Sequence, residues 1–320
     1  MTHKQLSLAL ASTLVALAFL AASPARAKGH HGNVTISTDG EHDITACSQV
    51  KIEFDGQQTA RTEQKFTLAK KDVSRLTMHL DSSSGISVVG WDRDNYGITA
   101  CKAGSGSSES AAQQRLGEIS ISADGGHFTM TATGESNSWL VYFIVQAPRA
   151  AVLDMQSENG GINFRHVSGT IDARATNGPV SLRDCSGVVR AETTNGPIEF
   201  TGGSGDFHLS ARNGPMSVRL TGTKWDGAGL DASSENGPLS VRVPDAYDSG
   251  VSVESRGHSP FSCKAPACNE SHGDWGDGNR GVRMGGDNPV VRLRTVNGPV
   301  EIKSAGARNA NHDSDDTGTD

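Results

Sequence analysis

The chain has 320 residues, 38 of them glycine, with 5% aromatic residues and a formal net charge of -7. Many glycines and few bulky side chains suit a fold of tight turns and narrow layers, and count against helical bundles and large hydrolase cores. The net acidity argues against general nucleic-acid binding, which draws on a basic face.

Residues 1–27 read as a secretory signal peptide. Lys4 supplies a positive start, residues 6–22 are apolar and rich in Leu and Ala, and Ser23-Pro24-Ala25-Arg26-Ala27 ends in a small-x-small pattern. Cleavage is expected after Ala27. The apolar run is short for a retained membrane anchor, no Cys stands near the cleavage point to take a lipid, and no later segment is apolar enough to span a bilayer. The segment holds Lys4 and Arg26 and no acidic residue, so its loss changes the formal charge from -7 to -9. The mature chain is expected to be exported, to the periplasm, the cell surface or the medium. Its Lys28-Gly29-His30 start would offer an amine, amide nitrogens and an imidazole to square-planar Cu(II) or Ni(II). Any chain can begin this way by chance, so neither a metal nor another cofactor is assigned.

Residues 28–150 read as an irregular β-rich region. Residues 84–91 resemble one unit of the repeat described next, residues 119–123, 128–132 and 140–147 read as strands, and residues 110–116 as a short helix. In an oxidising compartment Cys47 and Cys101 are a candidate disulfide pair.

Residues 151–304 carry a repeat. Asn-Gly occurs at Asn159, Asn177, Asn195 and Asn213 in steps of 18 residues, then at Asn236 after 23 and Asn297 after 61. Pro follows in every copy but the first, which has Gly161. Two positions after the Gly stand Ile162, Val180, Ile198, Met216, Leu239 and Val300. Four positions after it stand Phe164, Leu182, Phe200, Val218, Val241 and Ile302, with small or polar residues between. This alternation marks a half-buried strand. A second strand aligns Ile171 with Val189 and Phe207, and Ala173 with Ala191 and Leu209. Neither strand can bury its apolar face alone, so the expected architecture is all-β: a parallel β-solenoid of about 18-residue coils stacked on parallel ladders. The Gly is expected to supply a positive-φ turn, the Pro to open the strand, and the aligned Asn side chains to bond along the stack. Cys185 aligns with Val167 and Gly203 and reads as a core residue at a tight corner.

Residues 256–288 break the repeat and read as a Gly-rich looped insertion. Cys263 and Cys268 enclose four residues, Lys-Ala-Pro-Ala, and suggest a local disulfide. Asp274, Asp277 and Asn279 match no EF-hand spacing, and a solvated loop explains them. Residues 305–320 are polar with several Asp and are expected to be disordered.

An ordered set of motifs resembles the bacterial putative-adhesin family of envelope-associated repeat proteins. It comprises Ser-Gly-Ile-Ser-Val-Val-Gly-Trp-Asp from Ser84, Ile-Thr-Ala from Ile98, Ala-Ala-Gln-Gln-Arg-Leu from Ala111, Leu-Val-Tyr-Phe-Ile-Val-Gln-Ala-Pro from Leu140, and the Asn-Gly units. The resemblance runs from about Ser82 to Lys303. The family usually has an acidic residue where this chain has Pro after Asn-Gly, a difference that bears on the turn. The resemblance implies an exported or surface β-solenoid and carries over no catalytic residue.

The most informative functional feature is a charge pattern. Five positions after the repeat Gly stand Arg165, Arg183, Thr201, Arg219, Arg242 and Lys303, and alternation places them outward. They form either a solvated face balanced by neighbouring acids or a rail for an anionic polysaccharide or another cell-envelope component. The leading expectation is a non-enzymatic, adhesin-like scaffold, with an anionic-glycan binding protein as the alternative. A β-helix carbohydrate-active enzyme is a third reading, for which Asp172 and Glu192 are the nearest carboxylates. Arg190 and Arg174 align beside them, so ion pairing across coils explains them. Gly202-Gly203-Ser204-Gly205-Asp206 has neither the phase nor the nine-residue period of calcium-binding repeats. The 11 His are scattered, His166 and His208 being placed on the surface, and no Gly-x-Ser-x-Gly elbow, P-loop or dinucleotide fingerprint occurs. No catalytic or metal residue is assigned, and the oligomeric state stays open.

Overall fold

The computed structural model describes residues 34–38, 42–133, 137–257, 259–270, 280–286 and 288–306. The expected signal peptide, the Lys28-Gly29-His30 start, Asp274, Asp277, Asn279 and residues 307–320 of the expected tail lie outside these.

The fold is all-β with one α-helix, Glu109–Gly117, among the described residues. Two long parallel ladders dominate it. The first is made of the strands that follow each Asn-Gly: Ile162–Arg165, Val180–Arg183, Ile198–Gly202, Met216–Leu220, Leu239–Val243 and Val300–Ser304. They pair in the register read from the repeat, Ile162 with Val180, then Ile198, Met216, Leu239 and Val300. The second ladder is made of the strands that precede each Asn-Gly, and there Leu153, Ile171, Val189, Phe207, Leu230 and Val291 align. The apolar residues of both ladders are buried in one shared core. Successive strands lie ~4.8 Å apart, so each unit adds one thin layer to the core. Where a layer must be filled, Phe200 and Phe207 meet edge-on with ring centroids 4.9 Å apart, and Trp225 packs 6.0 Å from each.

The turns stack as well. Asn177 Nδ2 donates to Asn159 Oδ1 (3.0 Å), and the chain of side-chain bonds continues through Asn195, Asn213 and Asn236 to Asn297. The Pro carbonyls join the ladder: Val180 N donates to Pro197 O and Ile198 N to Pro215 O. Pro therefore sits just before the strand, where its lack of an N–H costs no ladder bond. The repeat glycines correct one expectation. None of them lies in the positive-φ region. Glycine is required there because a Cβ on Gly178, Gly196, Gly214, Gly237 or Gly298 would overlap the carbonyl of the glycine one layer back. The constraint is close approach between layers, which a single turn in isolation does not reveal.

The ends of the stack are closed differently. At one end the long strand Leu76–Trp91 supplies a layer to both ladders, pairing Leu76 with Leu153 and Ile86 with Ile162. Antiparallel strands Gln58–Ala69 and Asn95–Gly106, with the parallel Trp139–Pro148, extend the first ladder there. Trp139–Pro148 is buried on both faces. Its Leu140, Tyr142 and Ile144 lie under a small antiparallel sheet of Val34–Thr38 and Val50–Phe54. At the other end, segment 256–288 is more than the looped insertion expected from composition. Its strand Phe261–Cys263 pairs outside Val300–Ser304, and Arg280–Met284 pairs antiparallel with Gly250–Ser255, which itself lies outside Pro289–Asn297. The sixth Asn-Gly layer is thus enclosed between the fifth and an end layer. That arrangement shields a sheet edge that would otherwise present unpaired backbone.

Candidate functional site

The first ladder fixes the geometry of the basic row. Arg165 pairs with Arg183, Arg183 with Thr201, Thr201 with Arg219, Arg219 with Arg242, and Arg242 with Lys303. In one respect the row departs from its outward reading. Arg165 is 5% exposed, with Nη1 3.8 Å from Asp43 Oδ1. Asp43 belongs to the N-terminal segment beside the small sheet, and it also lies 3.7 Å from His166 Nε2. Strand alternation alone does not foresee a covering segment from a different part of the chain. Arg183, Arg219, Arg242 and Lys303 remain partly exposed.

The charges in this row crowd one another. Partial burial, then the positive charges of Arg242 and Arg183, lower the pKa of Arg219. The guanidinium stays charged at any physiological pH, so the crowding is felt as repulsion rather than as proton loss. Arg219 Nη1 donates to the carbonyl of Ala305 at 3.2 Å, and Lys303 Nζ lies 2.9 Å from Glu301 Oε2. Glu301 also meets Lys264 at 3.6 Å. At the Lys303 end, then, the balancing acid expected from the sequence is present.

The carboxylates considered for an enzyme lie on the second ladder. Asp172 pairs in register with Arg190, and Arg174 with Glu192. Their ion pairs run mainly along each strand and less across the stack than expected. Arg174 reaches Asp172 at 2.6 Å and Arg190 pairs with Glu192, while Arg174 lies 3.9 Å from Asp154 of the next layer. Residues two apart on a strand share a face, so each of these pairs closes within a single layer. A groove of about 720 Å³ runs beside them, its walls including Glu158, Arg174, Glu192 and Arg212. His208 is exposed and His166 half-exposed. Among the described residues no group of three or more His, Cys, Asp or Glu is arranged to hold a metal ion. Among those residues, too, no helix is long and apolar enough to cross a membrane.

Both disulfides form as paired from the sequence, Cys47–Cys101 with Cα atoms 5.6 Å apart and Cys263–Cys268 at 5.9 Å. The first ties the segment carrying Asp43 to the strand Asn95–Gly106, and so helps hold the cover over Arg165. Cys185 is free and buried. Burial pushes its thiol up to about 11, helped by the charge of Asp184. An unfolded thiol ionises near ~8.5, so the unfolded chain sheds this proton first. Stability is therefore unaffected by this group at neutral pH, falls by ~1.4 kcal/mol per unit once pH exceeds about 9, and levels off above the folded value. Urea unfolding of the Cys185→Val variant is expected to match the parent at pH 7 and to lose its slope between pH 9 and 10. Parallel losses in both proteins would assign the alkaline instability to other groups.

One set of buried polar residues escaped the sequence reading. Two positions before the Asn, four of the six layers carry Ser or Thr, namely Ser157, Thr193, Ser234 and Thr295. Thr193 Oγ1 donates to Gly178 O, Ser234 Oγ to Gly214 O and Thr295 Oγ1 to Gly237 O, at 3.0–3.1 Å. The signal was present as hydroxyls in an otherwise apolar register, but its target is a carbonyl one layer away.

No family model and no curated protein matches this chain. Solved structures similar to it include a putative cell adhesion protein from Clostridium sporogenes, at 8% identity over 77% of this chain and 100% of that one, with a TM-score of 0.32. A putative adhesin from Bacteroides fragilis is 11% identical over 77% of this chain and 97% of that one, with a TM-score of 0.34. A putative lipid binding protein from Parabacteroides distasonis is 9% identical over 78% and 97%, with a TM-score of 0.29.

Proposed function

We propose that this chain is an exported, non-enzymatic binding scaffold, a β-solenoid whose stacked coils hold a rail of cationic side chains for an anionic polymer. The polymer class is an acidic polysaccharide or another polyanionic component of the cell envelope. The observation that carries this reading is the shared register of Arg183, Arg219, Arg242 and Lys303 on one face. Like charges on neighbouring strands oppose folding, and a polyanion laid along the row would relieve that repulsion. A polymer with regularly repeated carboxylates or phosphates matches a rigid one-dimensional array better than a compact ligand does. Two disulfides support an oxidising, extracytoplasmic setting.

The test is retention of the mature protein on immobilised polygalacturonate, with neutral dextran as control. Retention at ~20 mM salt, falling steeply by ~0.3 M, is expected of a site in which exposed charges dominate. Equal retention on both matrices, or none on polygalacturonate at low salt, would remove the proposal.

A further inference from the structure

We infer that two copies of this chain pair edge to edge through the strand Gln58–Ala69, antiparallel about a two-fold axis at Gln64. The first ladder then continues across that axis from one copy into the other.

The strand Gln58–Ala69 is 12 residues long and bonds on one side to Asn95–Gly106. Among the described residues no strand pairs with its other side, whereas the opposite end of the stack is shielded by segment 256–288. The register shows which backbone groups are left open. Lys70 N donates to Asp94 O, one step beyond the Ala69–Asn95 pair, while Ser105 N, opposite Thr59, donates away from the strand to Ser138 O. Directly opposed residues of an antiparallel ladder alternate between bonded and non-bonded pairs. The even-numbered residues therefore bond to Asn95–Gly106. Thr59, Arg61, Glu63, Lys65, Thr67 and Ala69 turn their N–H and C=O groups to the open edge. Of these, Arg61, Glu63, Lys65 and Thr67 are exposed.

The strand is complementary to itself. Open groups bond only when odd-numbered residues face odd-numbered residues, so the two-fold axis must pass through a residue. An axis at Glu63 or at Lys65 sets like charges opposite one another. An axis at Gln64 sets Glu63 of each copy against Lys65 of the other, and lays residues 59–69 of both copies together. An axis at Thr62 opposes Arg61 and Glu63, but it overlaps only residues 58–66, and Arg61 already donates to the carbonyl of Ile52. Axes further out match no charges. Charged side chains on an edge ordinarily deter pairing. Here they turn away a foreign strand and fit an antiparallel copy of their own.

The core-facing side of the strand gains from the same axis. Phe66 and Leu68 pack against the core yet stay partly buried, Phe66 with its ring 5.2 Å from Phe128. An axis at Gln64 places Thr62 of the second copy opposite Phe66, and Ala60 of the second copy opposite Leu68. Opposite charges on one face and apolar contacts on the other are the side-chain pairs by which neighbouring strands hold together.

The experiment is sedimentation equilibrium of the mature protein at low salt, where the parent is expected to show a monomer–dimer equilibrium. Lys65→Glu alone, or Glu63→Lys alone, replaces two opposite-charge pairs with two like-charge pairs and is expected to weaken the dimer by about 10- to 100-fold. Mixed in equal amounts, the two variants are expected to associate as the parent does, because every charge at positions 63 and 65 then meets its opposite across the axis. Glu63→Pro removes an N–H that points to the open edge and none that bonds to Asn95–Gly106. It is expected to keep the parent's circular dichroism and urea midpoint and to lose the dimer. A parent that stays monomeric at every concentration overturns the inference. So do single charge variants that associate like the parent, a mixture that fails to recover, or a folded Glu63→Pro protein that still dimerises.

Discussion

Replacing Arg183, Arg219 and Arg242 together by Gln is expected to weaken retention on polygalacturonate by about 10- to 100-fold while leaving the protein at least as stable as the parent. Exposed charge contacts contribute roughly 0.2–1 kcal/mol each, so losing three removes about 0.6–3 kcal/mol, roughly 3- to 150-fold, and the expected range is the upper part of it because the three act on one polymer. The stability change has the opposite sign because these residues are arranged against one another. Arg219 is pressed by the charges of both Arg242 and Arg183. Relief of like-charge neighbours is worth ~0.2–1 kcal/mol per pair, and loss of the Arg219 bond to Ala305 O offsets part of it. Gln keeps the polar, strand-compatible stem, so the ladder itself is not disturbed. Urea unfolding and polymer retention measured on the same samples separate the two effects. Unchanged retention at low salt would show that the row is a solvated face. A large loss of stability would show that the three residues hold the fold, and would make any loss of binding uninformative about the site.

Gly196→Ala is expected to cost ~3 kcal/mol or more, although it adds a single methyl group at a position with ordinary φ. The methyl would overlap the carbonyl of Gly178 in the layer below. Neither backbone can retreat easily, because each turn is also fixed by the Asn ladder on both sides. Close-packed interiors tolerate added volume poorly when the neighbour is main chain. Gly117→Ala at the end of the helix is the control. A Cβ there meets nothing within 4 Å, and Ala is the better helix former by ~1 kcal/mol, so a neutral or stabilising result is expected. If the two substitutions prove equal in a denaturant titration, the layers are more loosely stacked than described. If Gly196→Ala is severe, the repeat Gly marks interlayer contact and not turn type.

Much of the architecture was legible because its physics is local and repeated. The 18-residue step between Asn177, Asn195 and Asn213 sets a register, and a strand's two-residue period then assigns inside and outside without further information. That logic placed Phe164, Leu182 and Phe200 in the core, Cys185 at a buried corner, and the basic residues in one line. It also paired Cys47 with Cys101 and Cys263 with Cys268, because an oxidising compartment and few cysteines leave few arrangements.

What the sequence determined by itself was therefore the repeat, the strand faces, the Asn ladder and the existence of a basic row. Tertiary structure alone decided the contacts that join distant segments. Asp43 covers Arg165 because the N-terminal segment crosses the first ladder and is tied down by Cys47. Segment 256–288 closes the stack because the sixth Asn-Gly layer is threaded inside it. The repeat glycines are constrained by the layer below, and the Arg219 side chain reaches across two layers to the carbonyl of Ala305. Periodicity reports which side of a strand a residue occupies. It carries no record of which other segment arrives there, because that choice is settled by packing energies summed over residues far apart in the chain.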